Sequence, residues 1–281
     1  MPSFRVLLAF AVLFAPTVAV AQSGDGGRGS YLVNGLMACG SCHTPKGPQG
    51  DIAEKAFSGG LTFDEGPFKV TASNITPDPE TGIGSWSADD LKRLLRTGVR
   101  PNGVPLAPIM PTGFYGLMSE EDLDQAVAYL RSVPAVKNKV PDPVYRAVIP
   151  RQVFPGAEKP YTATDIQAPV ARGFYLATLA HCMECHTPMG PRGRDFANDL
   201  GKGGFELKGP WGISISRNIT QSTTKGLGGW TDAEIKRAIT KGISKDGSHL
   251  APPMSFASYE RASEADLDAI VAWLRTLPAR D

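Results

Sequence analysis

The chain repeats itself. Subtracting positions gives an offset of 144 at site after site: Tyr31-Leu32 returns as Tyr175-Leu176, Asn74-Ile75-Thr76 as Asn218-Ile219-Thr220, and Trp86 as Trp230. Asp122-Leu123-Asp124 returns as Asp266-Leu267-Asp268, and Leu130-Arg131 as Leu274-Arg275. A unit of that length can bury a core of its own, so the 281 residues are expected to fold as two copies of one domain. Each copy carries one Cys-x-x-Cys-His motif: Cys39, Cys42 and His43, then Cys182, Cys185 and His186. These are offset by 143, so one residue has been gained or lost just ahead of the cysteines.

The two motifs use all four cysteines of the chain. Two thiols three positions apart reach the two vinyl groups of one porphyrin, and the histidine that follows is held beneath the iron; this is the attachment pattern of haem c. A zinc site would need the pairs to converge on one ion or more histidines at finger-like spacing. Only His181 and His249 remain, and neither repeats. With no cysteine left over, no disulfide is expected. The sequence therefore predicts two covalently bound haem c groups.

The N-terminus reads as an export signal: Arg5, an apolar run from Val6 to Val20 broken by Pro16, and an Ala19-Val20-Ala21 exit before Gln22. The run is too short for a comfortable membrane span, and no later segment is apolar enough for one. The expected location is the bacterial periplasm. Residues 22–134 hold nine Lys/Arg against thirteen Asp/Glu, whereas residues 135–168 and 169–281 are each net positive by two. So small an asymmetry argues against a nucleic-acid partner.

The predicted division is a signal at 1–21, a first domain at 22–134, a linker at 135–168 and a second domain at 169–281. Each copy reads as all-α. An apolar helix with Tyr31, Leu32, Leu36 and Met37 runs into the first haem motif. A second helix opens on Ser87-x-x-Asp90 or Thr231-x-x-Glu234 and stops at Gly98 or Gly242. A third opens on Ser119 or Ser263, carries Leu123, Val127 and Leu130 or Leu267, Val271 and Leu274 on one face, and is closed by Pro134 or Pro278. The linker, with seven prolines from Pro134 to Pro169, is expected to be a stiff strap laid over the domains.

Of the internal methionines only Met110 and Met254 correspond between the copies, each in Leu-Ala-Pro-x-Met, 67 and 68 residues after His43 and His186. A proline-rich loop can point a thioether at iron, so these are the predicted distal ligands; the alternative is a pair of core methionines. His/Met coordination fills both axial positions and leaves outer-sphere electron transfer as the activity. His249, five residues before Met254, is the rival ligand; it is expected to be a loop histidine, and His181 to be exposed. Trp86 and Trp230 are expected to pack rather than relay electrons, and Asn74 and Asn218 to serve structure.

These motifs resemble a known family. Asn74-Ile-Thr-Pro-Asp-Pro through Gly84-x-Trp86, Leu106-Ala-Pro-x-Met110 and Leu123-x-x-x-Val-x-Tyr-Leu130-Arg are similar to class I cytochrome c domains, in particular those in the cytochrome subunits of bacterial alcohol and gluconate dehydrogenases. The resemblance implies a haem carrier, not itself an enzyme. It would pass electrons from a periplasmic dehydrogenase to a quinone, another cytochrome or a terminal oxidase. Those subunits are chains of three such domains with a means of membrane attachment; this chain has two and no evident anchor. The alternatives are a dihaem enzyme of the peroxidase or thiosulfate dehydrogenase kind, which needs one labile axial ligand, and a docking subunit without competent electron flow.

Overall fold

The computed structural model describes residues 27–209 and 211–281. The predicted export signal lies outside the described residues. In the first half α1 (Gly27–Ser30) continues into a π-helical stretch, Tyr31–Leu36, before the short helix α2 (Cys39–His43). The two-residue pair β1 (Lys46–Gly47) and β2 (Gly50–Asp51), the hairpin of β3 (Thr62–Glu65) and β4 (Phe68–Thr71), then α3 (Ala88–Thr97) and α4 (Glu120–Ser132) complete it. Strand β5 (Val144–Tyr145) lies in the connecting segment. The order then returns: α5 (Pro169–Leu179), α6 (Cys182–His186), β6 (Met189–Gly190), β7 (Gly193–Arg194), β8 (Glu206–Gly209) and β9 (Gly212–Ile215). It closes with α7 (Asp232–Lys241), the short α8 (Phe256–Tyr259) and α9 (Glu264–Leu274).

The all-α expectation is corrected. The described residues are 33% helical and 12% strand, so their content is mixed α and β, with the strands spread over several small antiparallel sheets. Four-residue strands offer only two inward positions each, too few to leave a visible period of two. Phe68 and Val70 of β4 are nonetheless buried, covered by Ala107 and packed with Phe63, Ile109 and Ile149. Their cover comes from loops far along the chain, which local pattern cannot reveal.

The helices begin and end where side-chain chemistry directs. Ser87 and Thr231 each accept the backbone N–H of the acid three residues on, and Asp90 and Glu234 reach back to the cap, a reciprocal box that satisfies donors the helix leaves orphaned. Gly98 (φ 73°) and Gly242 (φ 63°) close these helices in the left-handed region. The one-residue mismatch ahead of the first haem motif has a structural answer. Tyr31 precedes Cys39 by eight positions and Tyr175 precedes Cys182 by seven; the additional residue is taken up by the π-helical stretch, a common way for a helix to absorb an insertion. Both helices then break at a non-glycine residue in the left-handed region, Ala38 (φ 47°) and His181 (φ 42°), which swings the haem motif onto a new axis.

The first and third helices of each half touch backbone to backbone. A Cβ on Gly29 would lie 2.1 Å from the Gln125 carbonyl oxygen, and one on Gly173 1.8 Å from that of Ala269. One apolar core runs through both halves and includes Leu32, Leu36, Leu123, Leu176, Leu179 and Leu274. The halves also exchange tyrosines. The Tyr31 hydroxyl donates to Asp266 Oδ2 (2.6 Å) and accepts the backbone N–H of Ser263 (3.2 Å) at the start of α9. The Tyr175 hydroxyl donates to Asp122 Oδ2 (2.8 Å) and accepts that of Ser119 (3.1 Å) at the start of α4. Arg28 and Arg172 neutralise Asp122 and Asp266 from within their own halves, at 2.7 and 2.6 Å. All four pairs of equivalent residues sit at the offset of 144.

The proline-rich segment is a strap tied to both halves, reaching the second where the Gln152 side chain donates to the Arg194 carbonyl (2.6 Å) and accepts its N–H (2.9 Å). β5 pairs with β4 (Phe68 with Tyr145, Lys69 with Val144), the Asn138 amide donates to the Ser58 carbonyl (2.8 Å), and the Phe154 N–H to that of Gly113 (3.0 Å). Phe154 and Ala157 are buried in the core.

Candidate haem-binding sites

Each motif histidine is set for ligation by the hydrogen bond on its far side. His43 Nδ1 donates to the Ser73 carbonyl oxygen (2.7 Å) and His186 Nδ1 to that of Arg217 (2.6 Å). Burial pushes both imidazoles below their ordinary pKa, opposed by those carbonyls, so the rings stay neutral with Nε2 as the free lone pair. The accepting carbonyls lie in the loops that follow the two hairpins, which accounts for the placement of β3–β4 and β8–β9. Behind each ring the backbone is tied down: the Gly59 N–H bonds to the His43 carbonyl (2.9 Å) and the Gly203 N–H to that of His186 (2.8 Å).

The cysteines line up on short helices, with burial pushing the Cys42 thiol up to about 11 and those of Cys39 and Cys182 to about 12; Cys185 is raised as well. They are neutral thiols at physiological pH. Among the described residues no three His, Cys, Asp or Glu side chains gather as a metal ion would require.

Met110 is half-buried and held by a tight turn, its N–H on the Ala107 carbonyl (3.0 Å) and its own carbonyl accepting the Thr112 N–H (2.7 Å). Met254, also half-buried, packs with Cys182 against Ala38, Ala180 and Tyr259, and its carbonyl accepts the Phe256 N–H (3.0 Å). Cys39, Cys42, His43 and Met110 line one apolar cleft of about 1280 Å³, larger than the ~300–1,000 Å³ of ordinary ligand pockets. Cys185 and Met254 reach the same cleft from the second half, whereas Cys182 and His186 do not line it. Its wall holds a donor with nothing to donate to: Trp211 Nε1 is buried and without a partner. A large apolar cavity, neutral thiols, a free imidazole nitrogen and an orphaned N–H fit a porphyrin with carboxylate arms.

The rival histidines separate. His249 is exposed on a turn bridged to Ile243 and is not among the cleft residues. His181 departs from expectation: it is partly buried, with Nδ1 3.2 Å from the buried Glu184 carboxylate. Glu184, between the second pair of cysteines, was not singled out by sequence, although a charge inside Cys-x-x-Cys where the first copy has Ser41 is a visible signal. Trp86 and Trp230 pack on the core. Asn74 and Asn218 staple their loops: each side-chain oxygen accepts the N–H of Thr76 or Thr220, and each amide donates to the carbonyl of Val136 or Arg280.

The comparisons with known proteins agree in class. The Cytochrome c family model matches residues 170–278, so the second half is a cytochrome c domain. The chain is similar to the gluconate 2-dehydrogenase cytochrome c subunit of Pantoea cypripedii, 32% identical over 90% of this chain and 60% of that protein. It is similar also to the fructose dehydrogenase cytochrome subunit of Gluconobacter japonicus, 30% identical over 94% and 55%. A diheme cytochrome c-type protein of Cereibacter sphaeroides is 29% identical over 94% of this chain and 90% of its own length. The chain thus spans little more than half of the dehydrogenase subunits it resembles. A cytochrome c domain carries covalently bound haem c, the cofactor that this match implies for residues 170–278. Among the described residues no helix is long and apolar enough to cross a membrane.

Proposed function

We propose that the chain is a dihaem electron carrier, with one haem c in each half, working in the periplasm beside a dehydrogenase. Cys39 and Cys42 would hold the first haem through thioethers, and Cys182 and Cys185 the second. His43 with Met110, and His186 with Met254, would supply the axial pairs. The observation that carries this reading is the pair of neutral histidines, each committed through Nδ1 to a backbone carbonyl and left with one nitrogen to give. When bound, the haem would supply a reversible one-electron couple, and Met110 and Met254 as thioether donors would favour its reduced form. The protein's part would be to hold the haem with His43, Met110, His186 and Met254, to exclude water with the apolar wall, and to fix each imidazole through its Nδ1 bond to a backbone carbonyl.

A dehydrogenase as donor follows from the likeness to dehydrogenase cytochrome subunits; a quinone, another cytochrome or a terminal oxidase would accept. The test is stepwise reduction of the holo-protein followed by mixing with carbon monoxide. A carrier takes up one electron per haem and two per chain, and forms no rapid carbon monoxide complex. A rapid adduct at one haem would replace this reading with a dihaem enzyme.

A further inference from the structure

The two methionine loops are held by different parts of the chain. The first is secured by the strap: Arg151 Nη2 donates to the carbonyls of Thr112 and Arg96 (both 2.6 Å), and the Tyr145 hydroxyl to that of Pro105 (2.9 Å). The second is tied to its own half by the Leu250 N–H on the Gly242 carbonyl (2.7 Å) and receives one further hydrogen bond from the opposite half. Ser255, next to Met254, shares a hydrogen bond between hydroxyls with Ser41 at 2.8 Å, and Met254 packs on a cluster in which Ala38 of the first half meets Ala180 and Tyr259. Ser41 lies inside the first haem motif, between Cys39 and Cys42. The reverse contact is absent by sequence, since Glu184 stands where Ser41 stands and Pro111 where Ser255 stands, and proline has no hydroxyl to offer.

We infer that Ser41 is a positioning residue for the methionine of the second site, so that attachment of the first haem steadies the axial ligand of the second, and not the reverse. This rests on the reading of Met254 as an axial ligand. α2 is pinned by its thioethers once haem is attached, and the hydroxyl it presents then fixes the backbone that aims the Met254 sulfur. Removing one such hydrogen bond leaves the methionine in place on average but easier to displace.

The test is imidazole titration of the ferric holo-protein, following the far-red methionine–iron band, with Met110→Ala and Met254→Ala identifying each haem's share. Ser41→Ala is expected to tighten imidazole binding at the second haem by roughly fivefold to tenfold and to leave the first unchanged. Ser255→Ala is expected to match it, and the double variant to go no further, as two ends of one interaction should. Wild-type affinities at both haems in Ser41→Ala, or an equal change at both, would overturn the inference. A full far-red band in Met254→Ala would instead remove the ligand reading beneath it, a result distinct from either.

Discussion

The two halves share an order of elements but not their surroundings. In the first, the strap adds β5 to the hairpin and clamps the Met110 loop; Phe68 is 5% exposed. In the second, the hairpin has no third strand among the described residues, and Ile213 and Ile215 stand 66% and 62% exposed where the first half has Lys69 and Thr71. Histidine placement is nevertheless the same to a tenth of an ångström in its supporting bond. The constraint on the motif histidine is therefore local and built into each repeat, whereas the methionine loop depends on whatever the chain lays over it.

The largest expected effect separates the halves outright. Replacing Cys39 and Cys42 by alanine should leave one haem per chain by mass, and replacing Cys182 and Cys185 should do the same; loss of both haems in either variant would show that the sites do not load independently. Next come the exchanged tyrosines. Tyr31→Phe and Tyr175→Phe each leave a buried carboxylate short of a donor and should each cost about 1–3 kcal/mol in denaturant unfolding. Equal costs would support a symmetric interface, and a cost at only one would break that symmetry. Helix caps are smaller: Ser87→Ala and Thr231→Ala should each lose about 1 kcal/mol, with the same reciprocal box removed from either half.

The subtlest expectation concerns alkali. Burial, then Asp266, pushes the Tyr31 phenol from 10.0 up to about 12, because the bond to the carboxylate needs the proton. A group that holds its proton more tightly when folded contributes stability in full below pH 10, and that contribution fades as pH rises toward 12. Thermal unfolding across this window should fall less steeply in Tyr31→Phe than in the parent; parallel curves would show that the phenol is not linked to folding.

Much of this was legible in the chain. Motif, cap and repeat are local signals: Cys-x-x-Cys-His, Ser87-x-x-Asp90 and the closing glycines each announce themselves within a few residues. The 143 offset even marked where the helix had to change, though not that Tyr31–Leu36 would wind as a π-helix. What stayed hidden depends on distant partners. The β3–β4 hairpin is stabilised by Ala107 and Ile149, the tyrosine exchange joins residues 235 apart for Tyr31 and Asp266, and the Ser41–Ser255 bond spans 214 positions. His181 is partly buried, not exposed as the sequence suggests, because it lies 3.2 Å from the buried Glu184 carboxylate, and burial of that side chain leaves no local pattern.

The most direct test is a spectroelectrochemical titration of the holo-protein that follows the far-red methionine–iron(III) band together with any high-spin signal. Two haem equivalents are expected, both low-spin, both carrying the band and both at positive potential. A high-spin fraction, or one haem that titrates far lower without the band, would contradict paired ligation through Met110 and Met254.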